Sequence, residues 1–288
     1  MPRFPSYDQT ELAYHVRGAG PPLICLPGGP ARASSYLGDL GGLTGGRTLI
    51  LLDQRGTGHS AVPADEASYR CDRLVDDLEA LRRHLDLDTM DLLAHSAGAS
   101  VAQLYAARHP ERLDRLVLVT PSLRAVGVEP VGADRALASR ADEWWFPPAR
   151  AALDAQQAAH DDPPDDTDPA ELARLRLAAA PFAYGRWTEA ARAHAEADAW
   201  ERSEPAAAAF YAGFSADPDG VRDALRALRA PVLILAGELD SVPTPEAADR
   251  LATLYPHAEV AVRPGAAHYP WVDDPRGFAE RVLAFLDR

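Results

Sequence analysis

The chain has 288 residues, 47% hydrophobic and 25% charged, which is ordinary for a globular protein able to bury a large core. Its formal net charge of −14 argues against nucleic acid or an anionic membrane as partner. All 29 basic residues are Arg, which excludes a Schiff-base lysine, a P-loop lysine and a Ser–Lys dyad.

The N-terminal MPRFPSYDQTELAYHVRG lacks the apolar core of a signal peptide, and no run of 18 apolar residues occurs. A cytoplasmic protein with no membrane span is therefore expected. Cys25 and Cys71 supply neither a disulfide framework nor metal-ligand spacing. Short apolar runs then alternate with amphipathic stretches. Strands are predicted at residues 12–16, 23–26, 48–52, 90–94 and 116–119. Leu74, Leu78, Leu81 and Leu85 share one face of a helix predicted within 69–85. Continuous Val/Ile/Leu strands alternating with helices specify a mostly parallel central sheet flanked by helices. The alternation stops after Thr120-Pro121. It resumes with a strand at 232–236, a helix near 246–255, a strand at 259–262 and a last helix at 275–286.

The interruption is rich in Ala and Arg, with almost no β-branched runs. Its acidic stretch 161–169 (DDPPDDTDP) reads as a solvated inter-helix loop. The expected organisation is an α/β core, residues 1–121 and 229–288, with a helical lid, 122–228, inserted in it.

Residues 92–98 (LLAHSAG) are an apolar run ending in a small-x-Ser-x-Gly turn, followed by the helix formers ASVAQLYAAR. A strand running into a helix with a serine at the corner is a nucleophile elbow. The turn is so tight that the residues two before and two after the serine, here Ala94 and Gly98, must be small. It also aims the helix N-terminus at the place where an oxyanion forms.

Four further motifs fall at strand ends, where an open α/β sheet places its active site. In Pro27-Gly28-Gly29-Pro30 the adjacent glycines let a backbone N–H approach a reacting carbonyl. Gly29, together with the N–H of Ala97, would form an oxyanion hole. Asp53–Ser60 (DQRGTGHS) is the most specific string in the chain and lacks the Lys and spacing of a P-loop. In Gly237-Glu238-Leu239-Asp240, position at the loop tip favours Asp240 as the acid that orients a histidine. Glu238 is the nearby competitor and Glu129 the outside alternative. Gly265-Ala266-Ala267-His268-Tyr269-Pro270 is a tight loop able to lower one imidazole onto the serine. Ser96, Asp240 and His268 follow the α/β-hydrolase triad in chain order.

Together these motifs resemble the α/β-hydrolase superfamily, and within it the proline iminopeptidase-like branch. That branch carries a His-Gly-Gly-Pro-Gly oxyanion loop and an Asp-Gln-Arg-Gly-x-Gly-x-Ser loop. The chain departs from it at Pro27, Ala31 and Ala97, where the branch has His, Gly and Trp. The resemblance implies an α/β-hydrolase fold with Ser96 as nucleophile, His268 as base and acid, Asp240 as orienting acid, and Gly29 and Ala97 as oxyanion donors.

Lid glutamates hold the substrate amine in that branch, and Trp200-Glu201 resembles the first such motif. Glu201 is thus the candidate substrate-binding residue. The competing reading places it on a solvated helix face, paired with Arg202 or Arg192. The expected function is an acyl-enzyme serine hydrolase acting as a proline iminopeptidase-like aminopeptidase or amide hydrolase on small aminoacyl substrates. The alternative is a carboxylesterase, thioesterase or lactonase, followed by a non-hydrolytic protein of the same fold. No metal or cofactor is expected, and the partner is a small-molecule or short-peptide substrate. Oligomeric state is not legible in the sequence.

Overall fold

Strand–helix alternation becomes one eight-stranded sheet in a computed structural model that describes residues 1–161, 168–215 and 217–288. The strands are β1 (Arg3–Pro5), β2 (Glu11–Gly18), β3 (Pro22–Leu26), β4 (Thr48–Leu52), β5 (Met90–His95), β6 (Leu113–Val119), β7 (Val232–Gly237) and β8 (Ala258–Arg263). Their spatial order is β1-β2-β4-β3-β5-β6-β7-β8. Only the β1–β2 and β2–β4 pairings are antiparallel.

The parallel strands have no polar face because both sides of the sheet are covered. Alternate side chains go to opposite faces. Ile24, Leu26, Leu92, Leu116 and Ile234 join a core with Leu74, Leu78 and Leu81 of α1 (Leu74–His84) and Val101 and Tyr105 of α2 (Gly98–Arg108). Leu23, Cys25, Leu93, Val117 and Leu233 face the other way, toward Phe278, Val282 and Phe285 near the C-terminus. Helix α1 has Asp76 and Asp77 in its first turn and Arg82, Arg83 and His84 in its last, each favourable to the helix dipole. It starts later than the periodicity suggests, because Glu66–Tyr69 forms a separate 3₁₀ turn.

Between β6 and β7 lie α3 (Ala133–Ala138), α4 (Phe146–Asp161), α5 (Pro169–Ala179), α6 (Glu189–Glu196), α7 (Asp198–Glu201), α8 (Glu204–Ala209) and α9 (Pro218–Leu225). The helical character read from this segment is present. Residues 162–167, most of the stretch read as an acidic loop, lie outside the described residues. After β7 come α10 (Pro245–Ala252), α11 (Pro270–Asp273) and α12 (Pro275–Leu286). Strand β1 was not legible in the sequence. Its one inward side chain, Phe4, buried at 2% exposure, leaves no alternation to read. Among the described residues no helix is long and apolar enough to cross a membrane.

Candidate active site

Strand β5 runs directly into Ser96, whose backbone adopts φ 51°. A non-glycine residue held in this left-handed region costs on the order of 1 kcal/mol or more. Hydrogen bonds on both sides hold it there: Ser96 N–H to the Val119 carbonyl (3.0 Å) and Ser122 N–H to the Ser96 carbonyl (3.0 Å). Helix α2 begins immediately after. A Cβ added at Gly98 would lie 2.4 Å from the Pro27 carbonyl oxygen, so only glycine lets the helix pass that close to the loop after β3.

The loops after β7 and β8 bring the other two residues of the expected triad to the serine. Nε2 of His268 lies 2.8 Å from Ser96 Oγ, and its Nδ1 lies 2.8 Å from Asp240 Oδ2. Asp240 is buried, and its other oxygen accepts the Val242 N–H at 2.9 Å. The competing acid, Glu238, turns elsewhere and accepts the Gly265 N–H at 2.7 Å. The His268 main chain is pinned too. Its N–H donates to the Ala183 carbonyl (3.0 Å), and its carbonyl accepts from Thr120 Oγ1 (3.0 Å) and His95 Nε2 (3.0 Å). With Nδ1–H donated to a carboxylate, Nε2 is the free lone pair facing a hydroxyl, which is the arrangement for general-base activation of an alcohol.

Under this trio lies a layer that the sequence did not disclose. Tyr36 Oη accepts the Gly28 N–H at 2.6 Å and lies 2.7 Å from His95 Nδ1. Since a carbonyl can only accept, His95 must donate Nε2–H to His268, leaving Nδ1 to accept the Tyr36 hydroxyl proton. Burial, reinforced by the nearby His268, holds the His95 imidazole well below the usual histidine range, so it stays neutral in this relay. Tyr36 and His95 thereby tie the glycine turn after β3 to the base. Because Gly28 N–H is already spent on Tyr36, Gly29 is the next amide of the turn. Gly29 and Ala97 both line the cavity above Ser96.

That cavity, about 640 Å³, exposes Ser96 and His268 at its base. Leu123, Val128, Leu153 and Phe182 from the inserted segment and Val242 from the core form apolar walls, with Arg124 and Glu129 also lining it. None of these wall residues belongs to a motif, and periodicity alone could not single them out.

Glu201, the candidate substrate-binding residue, has a different setting. It does not line this cavity. Its carboxylate accepts Arg32 Nε at 2.8 Å and Ser35 Oγ at 2.6 Å, and the Arg32 side chain is only 2% exposed. Neither alternative partner holds it: Arg202 faces Glu204 at 3.5 Å, and the Arg192 guanidinium lies 5.9 Å from the Trp187 ring centre. The main chain joins at the same place, with Ala33 N–H on the Glu201 carbonyl (2.8 Å) and Ser203 N–H on the Ala31 carbonyl (3.0 Å).

Glu201 therefore fastens the inserted segment to the turn that carries Gly29. Removing one member of a buried ion pair leaves the other undercompensated, at about 3 kcal/mol, since Arg32 would keep only the more distant Asp198 carboxylate at 3.9 Å. Glu201→Gln is expected to lower Tm by about 5–10 °C, read by thermal unfolding. An unchanged Tm would contradict this fastening role.

Comparison with known proteins gives four relevant likenesses. A family model described as alpha/beta hydrolase fold matches residues 21–275. A proline iminopeptidase of Heyndrickxia coagulans is 36% identical over 112 residues, a match spanning 39% of this chain and 39% of that protein. A proline iminopeptidase of Lactiplantibacillus plantarum is 27% identical over 282 residues, covering 92% of this chain and 91% of the relative. Among solved structures, the esterase RhEst1 from Rhodococcus sp. ECU1013 superposes with a TM-score of 0.76 at 27% identity, covering 99% of this chain and 98% of the esterase.

Proposed function

The chain belongs to the α/β-hydrolase fold family, and from that premise we propose that it is a serine hydrolase working through an acyl-enzyme, with Ser96 as nucleophile. The observation that carries the reading is the unbroken chain Asp240–His268–Ser96, with both contacts at 2.8 Å, opening on a cavity. His268 takes the Ser96 proton as Oγ attacks a carbonyl carbon, then returns it to the leaving group. Water repeats the sequence on the acyl-enzyme. Asp240 keeps the proton on Nδ1 and stabilises the imidazolium. The N–H groups of Gly29 and Ala97 receive the oxyanion, each donor worth about 3–4 kcal/mol in the transition state. The inserted segment acts as the lid, since it supplies most of the apolar wall.

The cavity best suits a small ester with an apolar acyl group. Aliphatic and aromatic side chains make up much of its wall, and the Glu201 carboxylate is engaged by Arg32. Likeness to the Rhodococcus esterase supports this reading. A second reading, hydrolysis of small aminoacyl amides, is favoured by Glu129. This carboxylate lines the cavity and could give a substrate ammonium a charge-assisted hydrogen bond. Likeness to the Lactiplantibacillus plantarum proline iminopeptidase over most of the chain supports it as well.

The two readings separate on p-nitrophenyl butyrate against prolyl-p-nitroanilide. The ester is expected to turn over with the higher kcat/KM, and Glu129→Gln should leave it unchanged. Faster prolyl-amide turnover, with a selective loss in Glu129→Gln of about 1.5–3 kcal/mol, roughly tenfold to a hundredfold, would establish the second reading instead.

A further inference from the structure

The Asp53–Ser60 string is the sharpest motif in the sequence, yet none of its residues lines the Ser96 cavity. Part of its role is structural: Arg55 is buried and paired with Asp77 of α1 and with Asp8 at 2.7 Å. Asp53 and His59 are not explained that way. They meet His15 of β2 at the edge of the sheet, where one ligand atom from each residue lies within 4.8 Å of the others. We propose that His15, Asp53 and His59 form a binding site for a divalent transition-metal ion of the zinc class, one that stabilises the fold and takes no part in the chemistry at Ser96.

The distances fit such an ion. His15 Nε2 stands 3.1 Å from Asp53 Oδ2, and His59 Nδ1 stands 3.7 Å from the same oxygen. A tetrahedral ion with bonds of about 2.0–2.1 Å keeps its ligand atoms about 3.3 Å apart, and the two separations bracket that value.

Charge points the same way. The Asp53 side chain is 1% exposed, and among the described residues its ion-pair partners are these two histidines alone. Its remaining contacts are neutral: Ser34 N–H (2.9 Å) and Ser34 Oγ (2.7 Å) on Oδ1, and His59 N–H (3.0 Å) on Oδ2. A carboxylate this deeply buried calls for a counter-charge. A cation bound between the three side chains would provide one. The Ser34 bonds meanwhile fix the ligating carboxylate as outer partners do in built metal sites.

Access and selectivity also agree. The His59 side chain is 59% exposed and that of His15 22%, so an ion can enter and keep a water as its fourth ligand. At Gly58, φ is +52° and an added Cβ would lie 2.3 Å from Asp53 Oδ2, so the loop closes against the carboxylate only because this residue is glycine. Two imidazoles and one carboxylate suit zinc, nickel or copper better than calcium or magnesium. Asp53 and His59 share one loop but His15 comes from β2, 38 residues before Asp53, so the full ligand set could not be read as a spacing in the sequence.

The experiment uses the untagged full chain, stripped of metal with EDTA and titrated with Zn²⁺ by calorimetry, and with Co²⁺ by absorption spectroscopy. Expected are one ion per chain, Kd of about 10 μM or tighter, and the intense visible bands of four-coordinate Co²⁺. Both His59→Ala and His15→Ala should weaken binding by about tenfold or more. His59 is exposed, so its variant should stay folded, which circular dichroism checks. Kd weaker than about 10 μM, or affinity unchanged in His59→Ala, would overturn the proposal. These readouts are independent of turnover, so they stand or fall apart from the hydrolase reading.

Discussion

Ser96→Ala is expected to lower kcat by roughly six orders of magnitude while the chain stays folded. The hydroxyl is the group His268 can deprotonate at 2.8 Å. Without it, only the oxyanion donors and substrate binding remain to accelerate attack by water. Stability should barely change, because alanine meets the same backbone strain as serine at φ 51°. A fluorophosphonate probe should label Ser96 in the parent chain and nothing in the variant. Undiminished turnover in Ser96→Ala, or labelling of another serine, would sink the mechanism.

Asp240→Asn is expected to cost about 10⁴ in kcat with little change in KM. The reason lies in the second contact of Asp240. The Val242 N–H donates to Oδ1 at 2.9 Å, so an asparagine must turn its carbonyl oxygen there and its NH₂ toward His268. Nδ1 would then have to accept, and the ring proton would move to Nε2. A protonated Nε2 cannot take the Ser96 proton. The check is steady-state kinetics beside thermal unfolding, since misfolding would move Tm and KM as well. A loss below tenfold would mean that His268 needs no oriented tautomer.

Much of the core was legible because its signals are local. The β5–α2 elbow declares itself within about a dozen residues: a buried strand, a turn that tolerates only small neighbours, and a run of helix formers. The parallel strands read as continuous apolar runs because both faces are covered. The edge behaves differently. Three-residue β1 has too few side chains to show a period, and its place follows from pairing with β2. The choice between Glu238 and Asp240 was only partly legible, since alternation sends both side chains the same way. The structure separates them by giving the Gly265 N–H to Glu238.

What the sequence determined by itself was the strand–helix alternation, the elbow at Ser96 and the chain order Ser96, Asp240, His268, because hydrophobic period and turn sterics act between near neighbours. Tertiary structure alone decided which distant groups meet. Glu201 finds Arg32 across 169 residues and becomes a fastening. Tyr36 reaches His95 from another loop, and His15 meets Asp53 and His59 because β2 lies beside β4. The walls of the cavity were decided the same way. Apolar side chains from the inserted segment carry no motif, and their role comes from being folded over Ser96. Electrostatic pairing and cavity shape depend on distance through space, which sheet order and helix packing set and sequence separation does not record.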